Sequence, residues 1–191
     1  MRLAVVVPVK SFTVAKGRLA DVLSPADRET LARQCAGTVV RAAAPARAYV
    51  VCDDDGIAAW AREAGATVVE QRTPGLNGAV QDGWVAAVAD GADHLVIAHA
   101  DLPLAGSFAH VPREGSVSIV PDRHRDGTNV MSLPAGMAFD LHYGPGSFAA
   151  HQAEARRRGI PCTVIDDADL ALDLDTADDL DELERRNGTT R

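Results

Sequence analysis

The sequence predicts an α/β fold, a mostly parallel mixed sheet with helices on both faces. Three observations predict it. Short apolar, β-branched runs alternate with stretches of helical length and pattern along the chain. The first run, Leu3 to Val7, is apolar throughout, as a strand buried on both faces must be. Several polar clusters follow directly after predicted strands, where open parallel sheets bind ligands.

The elements follow in order. After the Leu3–Val7 strand a polar loop runs from Pro8 to about Leu23. Ser24-Pro25 reads as an N-cap with proline at the first helical position, opening a helix to about Ala44. Ala48 to Cys52 is a strand, Gly56 to Glu63 a helix stopped by Gly65, and Thr67 to Val69 a short strand. A loop through Gly75-Leu76-Asn77-Gly78 leads to a helix from Ala79 to Ala89. His94 to Ala98 is an apolar strand running into Asp101. Val117 to Val120, Thr128 to Leu133, Thr163 to Ile165 and Ala171 to Leu174 are candidate strands. Ser147 is the expected cap of a helix to about Arg158. Thr176-x-x-Asp179 fits a capping box opening the last helix. The tail Asn187 to Arg191 is expected to fray.

With 191 residues and 47% hydrophobic content the chain fits one domain, residues 1–191. Its net charge of −8 repels nucleic acid and anionic lipid over most of its surface, so an anionic substrate needs a local cationic patch or a metal. Cys35, Cys52 and Cys162 are isolated and odd in number, which argues against a disulfide framework or structural zinc. No apolar run reaches the roughly 18 residues a membrane helix needs, and the N-terminal run lacks a cleavage site. A cytoplasmic protein with neither nucleic-acid nor membrane partners is expected.

Five clusters can carry chemistry. Lys10 and Lys16 are the chain's only lysines and share one loop with Arg18. A compact ammonium suits a polyphosphate, although such a loop can also be solvated surface. Asp101 leaves a strand before Leu-Pro and suits magnesium, or equally a turn. His99, two residues earlier, reads as a satisfied loop or core histidine. Asp173 and Asp175 point to one side of an extended segment and repel unless a cation lies between them. Asp175 with Thr176 also suits a helix cap. Asp126-Gly127-Thr128-Asn129 and Tyr143-Gly144-Pro145-Gly146-Ser147-Phe148 offer close backbone approach and a helix start suited to a phosphate or carboxylate. Arg123 and Arg125 nearby can equally be surface charges. Asn77 can read a base edge, or merely turn the chain.

Read together, Pro8-Val9-Lys10, Ala15-Lys16-Gly17-Arg18-Leu19, Gly75-Leu76-Asn77, Asp101-Leu102-Pro103-Leu104, Asp126-Gly127-Thr128-Asn129, Tyr143-Gly144-x-Gly146-Ser147-Phe148 and Leu172-Asp173-Leu174-Asp175-Thr176-x-x-Asp179-Leu180 form one ordered series. It resembles the 2-phospho-L-lactate guanylyltransferase family, whose actinobacterial members are phosphoenolpyruvate guanylyltransferases. The resemblance spans almost the whole chain. It implies a single-domain, Rossmann-like nucleotidyltransferase fold of nucleotide-diphospho-sugar transferase type. It implies GMP transfer from GTP to phosphoenolpyruvate or 2-phospho-L-lactate, with pyrophosphate release, in coenzyme F420 biosynthesis. Carried over by position, Lys10, Lys16 and Arg18 hold the GTP phosphates and Asn77 lies near guanine or ribose. Asp101 and Asp175 hold Mg2+, with Asp173 as a helper. Thr128, Gly144 and Ser147 bind the acid substrate. Where sugar nucleotidyltransferases carry a glycine-rich loop, Pro8-Val9-Lys10-Ser11-Phe12 stands, so phosphate binding leans on cationic side chains.

Two other readings share these residues. One is a molybdopterin guanylyl- or cytidylyltransferase-like enzyme of the same fold. The other is a non-catalytic GTP-binding module, which needs neither carboxylate. The choice among phosphoenolpyruvate, 2-phospho-L-lactate and 3-phosphoglycerate is open, with high Ala and Arg usage leaning to phosphoenolpyruvate. A homodimer is compatible with all of this.

Overall fold

The computed structural model describes residues 1–188, with every side chain among them except that of Val14. Seven strands form one sheet: β1 (Leu3–Pro8), β2 (Arg47–Cys52), β3 (Thr67–Glu70), β4 (His94–Ala98), β5 (Val117–Pro121), β6 (Thr128–Pro134) and β7 (Cys162–Val164). Their order is β3-β2-β1-β4-β6-β5-β7. β6 runs antiparallel to both neighbours, and the other pairings are parallel. The helices are α1 (Pro25–Ala42), α2 (Asp55–Glu63), α3 (Gly75–Ala89), α4 (Ser147–Arg157) and α5 (Ala177–Gly188). Asn187 and Gly188, expected to fray, close α5; the remainder of that tail, 189–191, lies outside the described residues.

Strand alternation divides the core in two. Val5 and Val7 of β1 face a cluster with Ala36 and Val39 of α1 and Ile57 of α2. Ala4 and Val6 face the other cluster, with Val80 and Trp84 of α3 and Phe148 of α4. Both faces of β1 are therefore covered, which accounts for its unbroken apolar sequence. Gly83 lets α3 lie close on the sheet: a Cβ there would come within 2.5 Å of Val6 and 2.7 Å of Val51.

Three expectations are corrected. Gly75-Leu76-Asn77-Gly78 is the first turn of α3, not a loop. Gly78 belongs in that turn because a Cβ would meet the Thr73 carbonyl oxygen at 2.5 Å. Ala171 to Leu174 is not a strand of the sheet. It crosses the strand ends instead, with Leu174 N–H donating to the Asp101 carbonyl at 3.1 Å. Gly146, in the left-handed region at φ 71°, caps α4, and Ser147 is its first residue. A left-handed position suits glycine far better than serine.

From β1 the chain builds outward through β2 and β3 on one side and β4 on the other. This reversal opens a crevice at the carboxyl ends of β1 and β4. The lone antiparallel strand, β6, brings its beginning, Thr128-Asn129, to that same edge.

Candidate active site

The loop after β1 is long but anchored. Val9, Phe12 and Leu19 are buried. Phe12 meets Trp60 edge-on at 5.1 Å, and Arg33 of α1 sits over its ring at 4.7 Å. Between these anchors Lys16 adopts a left-handed backbone, φ 60° and ψ 36°. That conformation costs a non-glycine residue about 1 kcal/mol or more. It aims the side chain inward, where the ammonium meets Asp101 Oδ2 at 2.8 Å and Asp175 Oδ1 at 3.2 Å. Only 6% of the Lys16 side chain is exposed.

The carboxylates come from opposite parts of the chain. Asp101 follows β4, and Asp175 precedes α5. Asp173 joins them through Asn129 at the start of β6. The Asn129 amide donates to Asp173 Oδ1 at 3.2 Å and to the Leu170 carbonyl at 3.1 Å. One oxygen from each of Asp101, Asp173 and Asp175 lies within 4.8 Å of the others. Two of these acidic groups share the Lys16 ammonium, and the third stands beside them.

Their titration reflects this crowding. Burial opposes ionisation of Asp101, but Lys16 overrides it and holds the carboxyl below the usual carboxylate range. Burial would lower the Lys16 value, yet Asp101 and Asp175 raise it. Asp173 is pushed up to about 6, by burial first and then by Asp101. Asp101 Oδ1 is buried and has no hydrogen-bond partner among the described residues. An unpaired buried carboxylate oxygen is costly unless something meets it. Oxygen donors, excess negative charge and this orphaned oxygen fit a hard divalent cation.

Beside the cluster lies a cavity of about 300 Å³, lined by Pro8, Lys10, Lys16, Leu76, His99 and Asp101 among others. His99, expected to be satisfied, has a buried Nε2 without a partner among the described residues. Lys10 and Arg18 are exposed and make no ion pair among the described residues. The loop therefore brings only Lys16 into the acidic cluster; Lys10 reaches the cavity wall.

The other expected residues are differently placed. Both ends of the Asn77 amide are spent on one peptide backbone: Oδ1 accepts from Tyr143 N–H at 2.8 Å, and Nδ2 donates to Tyr143 O at 3.2 Å. It ties α3 to the loop before α4 instead of presenting a free amide to a base. The Thr128 side chain is fully buried and bonds His151 Nδ1 at 3.0 Å. His151 Nε2 accepts from His142 N–H at 2.9 Å, so the proton sits on Nδ1 and the Thr128 hydroxyl accepts it. Its full burial, not this one bond, keeps the Thr128 hydroxyl away from the cavity.

The start of α4 is likewise partly occupied. Gly146 N–H donates to the Asp126 carboxylate at 3.2 Å, Ser147 N–H to Gly144 O at 3.1 Å, and Phe148 N–H to Asp126 O at 3.0 Å. Gly144 is exposed, and Ser147 is buried. The N–H groups of Gly146, Ser147 and Phe148, expected to be free, are met by the chain itself. Arg123 pairs with Asp178 and Asp179, and Arg125 with Asp166.

The fold is of nucleotide-diphospho-sugar transferase type. A Desulfovibrio desulfuricans G20 structure, provisionally described as a nucleotide-diphospho-sugar transferase, superposes with a TM-score of 0.75 at 17% identity, covering 97% of this chain and 87% of that one. A nucleotidyl transferase from Methanothermobacter matches with a TM-score of 0.68 at 14% identity, covering 99% of both chains.

More particularly, the chain belongs to the family described as "Guanylyl transferase CofC like", matched over residues 3–189. Phosphoenolpyruvate guanylyltransferase of Sphaerobacter thermophilus is 38% identical, over 93% of this chain and 90% of its own. 2-phospho-L-lactate guanylyltransferase of Methanothermobacter thermautotrophicus is 34% identical, over 96% and 84%. 3-phospho-D-glycerate guanylyltransferase of Phenylobacterium zucineum is 31% identical, over 94% and 88%. The protein is a guanylyltransferase, as its motifs imply. Among the described residues no helix is long and apolar enough to cross a membrane.

Proposed function

We propose that this protein transfers GMP from GTP to a phosphorylated three-carbon acid, with phosphoenolpyruvate first among the candidates, in coenzyme F420 biosynthesis in the cytoplasm. The observation carrying this reading is the Lys16 ammonium held between Asp101 and Asp175 at the wall of a cavity. A non-catalytic GTP-binding module needs neither carboxylate, yet both meet here.

Asp101 and Asp175, joined by Asp173, would hold Mg2+. When bound, that ion supplies charge neutralisation at the reacting phosphates. Lys16 carries positive charge to the same place, and Lys10 on the cavity wall and Arg18 on the exposed loop serve the leaving pyrophosphate. The acid's phosphate is already ionised near neutral pH, since its second pKa is about 6, so no general base is required. Its oxygen bonds the α-phosphorus of GTP as the bond to the β-phosphate bridge breaks. The products are a guanosine diphosphate-linked acid and pyrophosphate. The chain's contribution is alignment and fixed charge.

Thr128, Gly144 and Ser147 serve the acid by the loop they shape, not by direct contact. Asn77 positions that loop by its two bonds to Tyr143.

The test is incubation with GTP, Mg2+ and each of phosphoenolpyruvate, 2-phospho-L-lactate and 3-phosphoglycerate, followed by mass analysis. We expect the linked product with phosphoenolpyruvate and its loss on chelation with EDTA. Absence of product with all three acids would remove the proposed activity. Sedimentation of the same preparation decides whether a homodimer forms.

A further inference from the structure

Asn77 is bonded at both ends to Tyr143 and does not line the cavity, whereas Gln71 does. Gln71 directly follows β3, and its N–H extends the ladder to Cys52 O at 2.8 Å. Its side-chain Nε2 donates to Thr73 O at 2.8 Å and to Gly75 O at 3.1 Å. Both acceptors are carbonyls, so the orientation of the amide is fixed: nitrogen toward the turn, oxygen away from it. The oxygen Oε1 has no partner among the described residues and is not among the buried orphaned atoms. It is an accessible acceptor whose amide cannot flip without losing two hydrogen bonds.

Gln71 also stands at a junction. It lines the 300 Å³ cavity beside Lys16 and Asp101 and a second cavity of about 460 Å³ next to it. The two share Lys10, Ser11 and Gln71. Phosphates placed at Lys16 and the carboxylates leave the nucleoside end of GTP to extend along this wall.

We propose that Oε1 of Gln71 reads the Watson–Crick edge of guanine and gives the site its preference for GTP over ATP. The inference rests on the GMP-transfer reading above. Guanine carries two adjacent donors on that edge, N1–H and the 2-amino group, and both can converge on one carbonyl oxygen. Adenine presents a lone pair at N1, which faces the Oε1 lone pairs and is repelled. Hypoxanthine keeps N1–H and lacks the 2-amino group, so it ranks between them. A site built to receive a substrate N–H rejects an analogue lacking it.

The experiment measures equilibrium binding of GTP, ITP and ATP, and kcat/KM for each, in the wild type and in Gln71→Met. Methionine keeps the length of the side chain and removes both donor and acceptor. Expected in the wild type is the order GTP, ITP, ATP. Expected in Gln71→Met is a loss of about tenfold for GTP, carried by Kd and KM with kcat held, a smaller loss for ITP and little change for ATP. An equal loss for all three nucleotides would mean that Gln71 only braces the turn, and would overturn the proposal. So would an unchanged GTP-to-ATP ratio, or a wild type that binds the three alike. If the wild type binds GTP yet transfers no GMP, the activity reading fails while the binding measurements still decide this one.

Discussion

Two polar regions lie behind the same sheet edge, and they are built on opposite terms. Around Lys16 two carboxylates hold one ammonium with a third beside them, and a buried oxygen of Asp101 is left unmet among the described residues. Around His151 nearly every group is answered: Nδ1 by Thr128, Nε2 by His142 N–H, and the buried Glu154 beside it by Arg157, Arg158 and the Asp140 N–H. Burial opposes the charge of Glu154, but Arg158 and Arg157 hold its pKa down to about 2. In the second region the Tyr143 hydroxyl, whose ring packs on His151, is the exception; its other named polar groups have spent their bonds on the fold, while the first region retains charge that is not fully met. The distinction lies in what remains unpaired, not in residue type.

Asp101→Ala tests the first region most severely. It should lower GMP transfer by about a thousandfold or more, the upper scale for losing one electrostatic group at a reacting centre, while the fold is kept. Near wild-type turnover, with circular dichroism unchanged, would remove Asp101 from the centre. Lys16→Ala should come next. We expect KM for GTP to rise by about tenfold or more, and by more than KM for the acid, as losing a charged hydrogen-bond partner does. The reverse order in titrations would exchange the two substrates' places.

Thr128→Val probes the second region. It leaves the buried His151 Nδ1–H unpaired, costing about 1–3 kcal/mol. The melting temperature should drop by a few degrees, about 2–4 °C per kcal/mol in a chain this size, with kcat held within about twofold. A large fall in kcat at unchanged stability would move the Thr128 side chain into the substrate site.

The last effect appears only below neutral pH. Burial, aided by His142 and His99, draws His151 down to about 4 from its ordinary 6.5. The unfolded chain gains this proton below about 6.5, and the folded chain only near 4. Stability from neutral His151 is therefore complete above pH 6.5 and is lost as pH falls toward 4, on the order of 3 kcal/mol in all. Asp173, raised in the fold, titrates with the opposite sign across part of this window. The measurement is thus the melting temperature of wild type minus that of His151→Gln from pH 7 to 4. A flat difference would mean that His151 is not held neutral by burial.

Much of the fold was legible because strand and helix periodicities are local. β1, β4 and α1 could be read within a residue or two at most boundaries, since apolar runs and the Ser24-Pro25 cap state them directly. The motifs place Asp101 and Asp175 together opposite the lysine-bearing loop, but they do not show Lys16 paired to both carboxylates, nor the bond from Asn129 to Asp173, which joins residues 44 apart. Asn77 and Thr128 looked like ligand groups because a sequence lists donors and acceptors without showing which are already paired. Gly75 and Gly78 signalled a loop because glycine discourages helix, and the contact with Thr73 that demands Gly78 is tertiary. Gln71 gave no signal at all: only the turn it braces shows which way its amide faces.

The two bonds from Asn77 to Tyr143 also make a strut. One end stands in the first turn of α3, beside the cavity wall that Leu76 helps to build; the other is the peptide leading to Gly144 and α4. A shift of either bank drags the other along unless both bonds give way. If GTP fills the cavity and the acid lies by the loop before α4, as proposed above, the two would meet at walls that share one cross-beam.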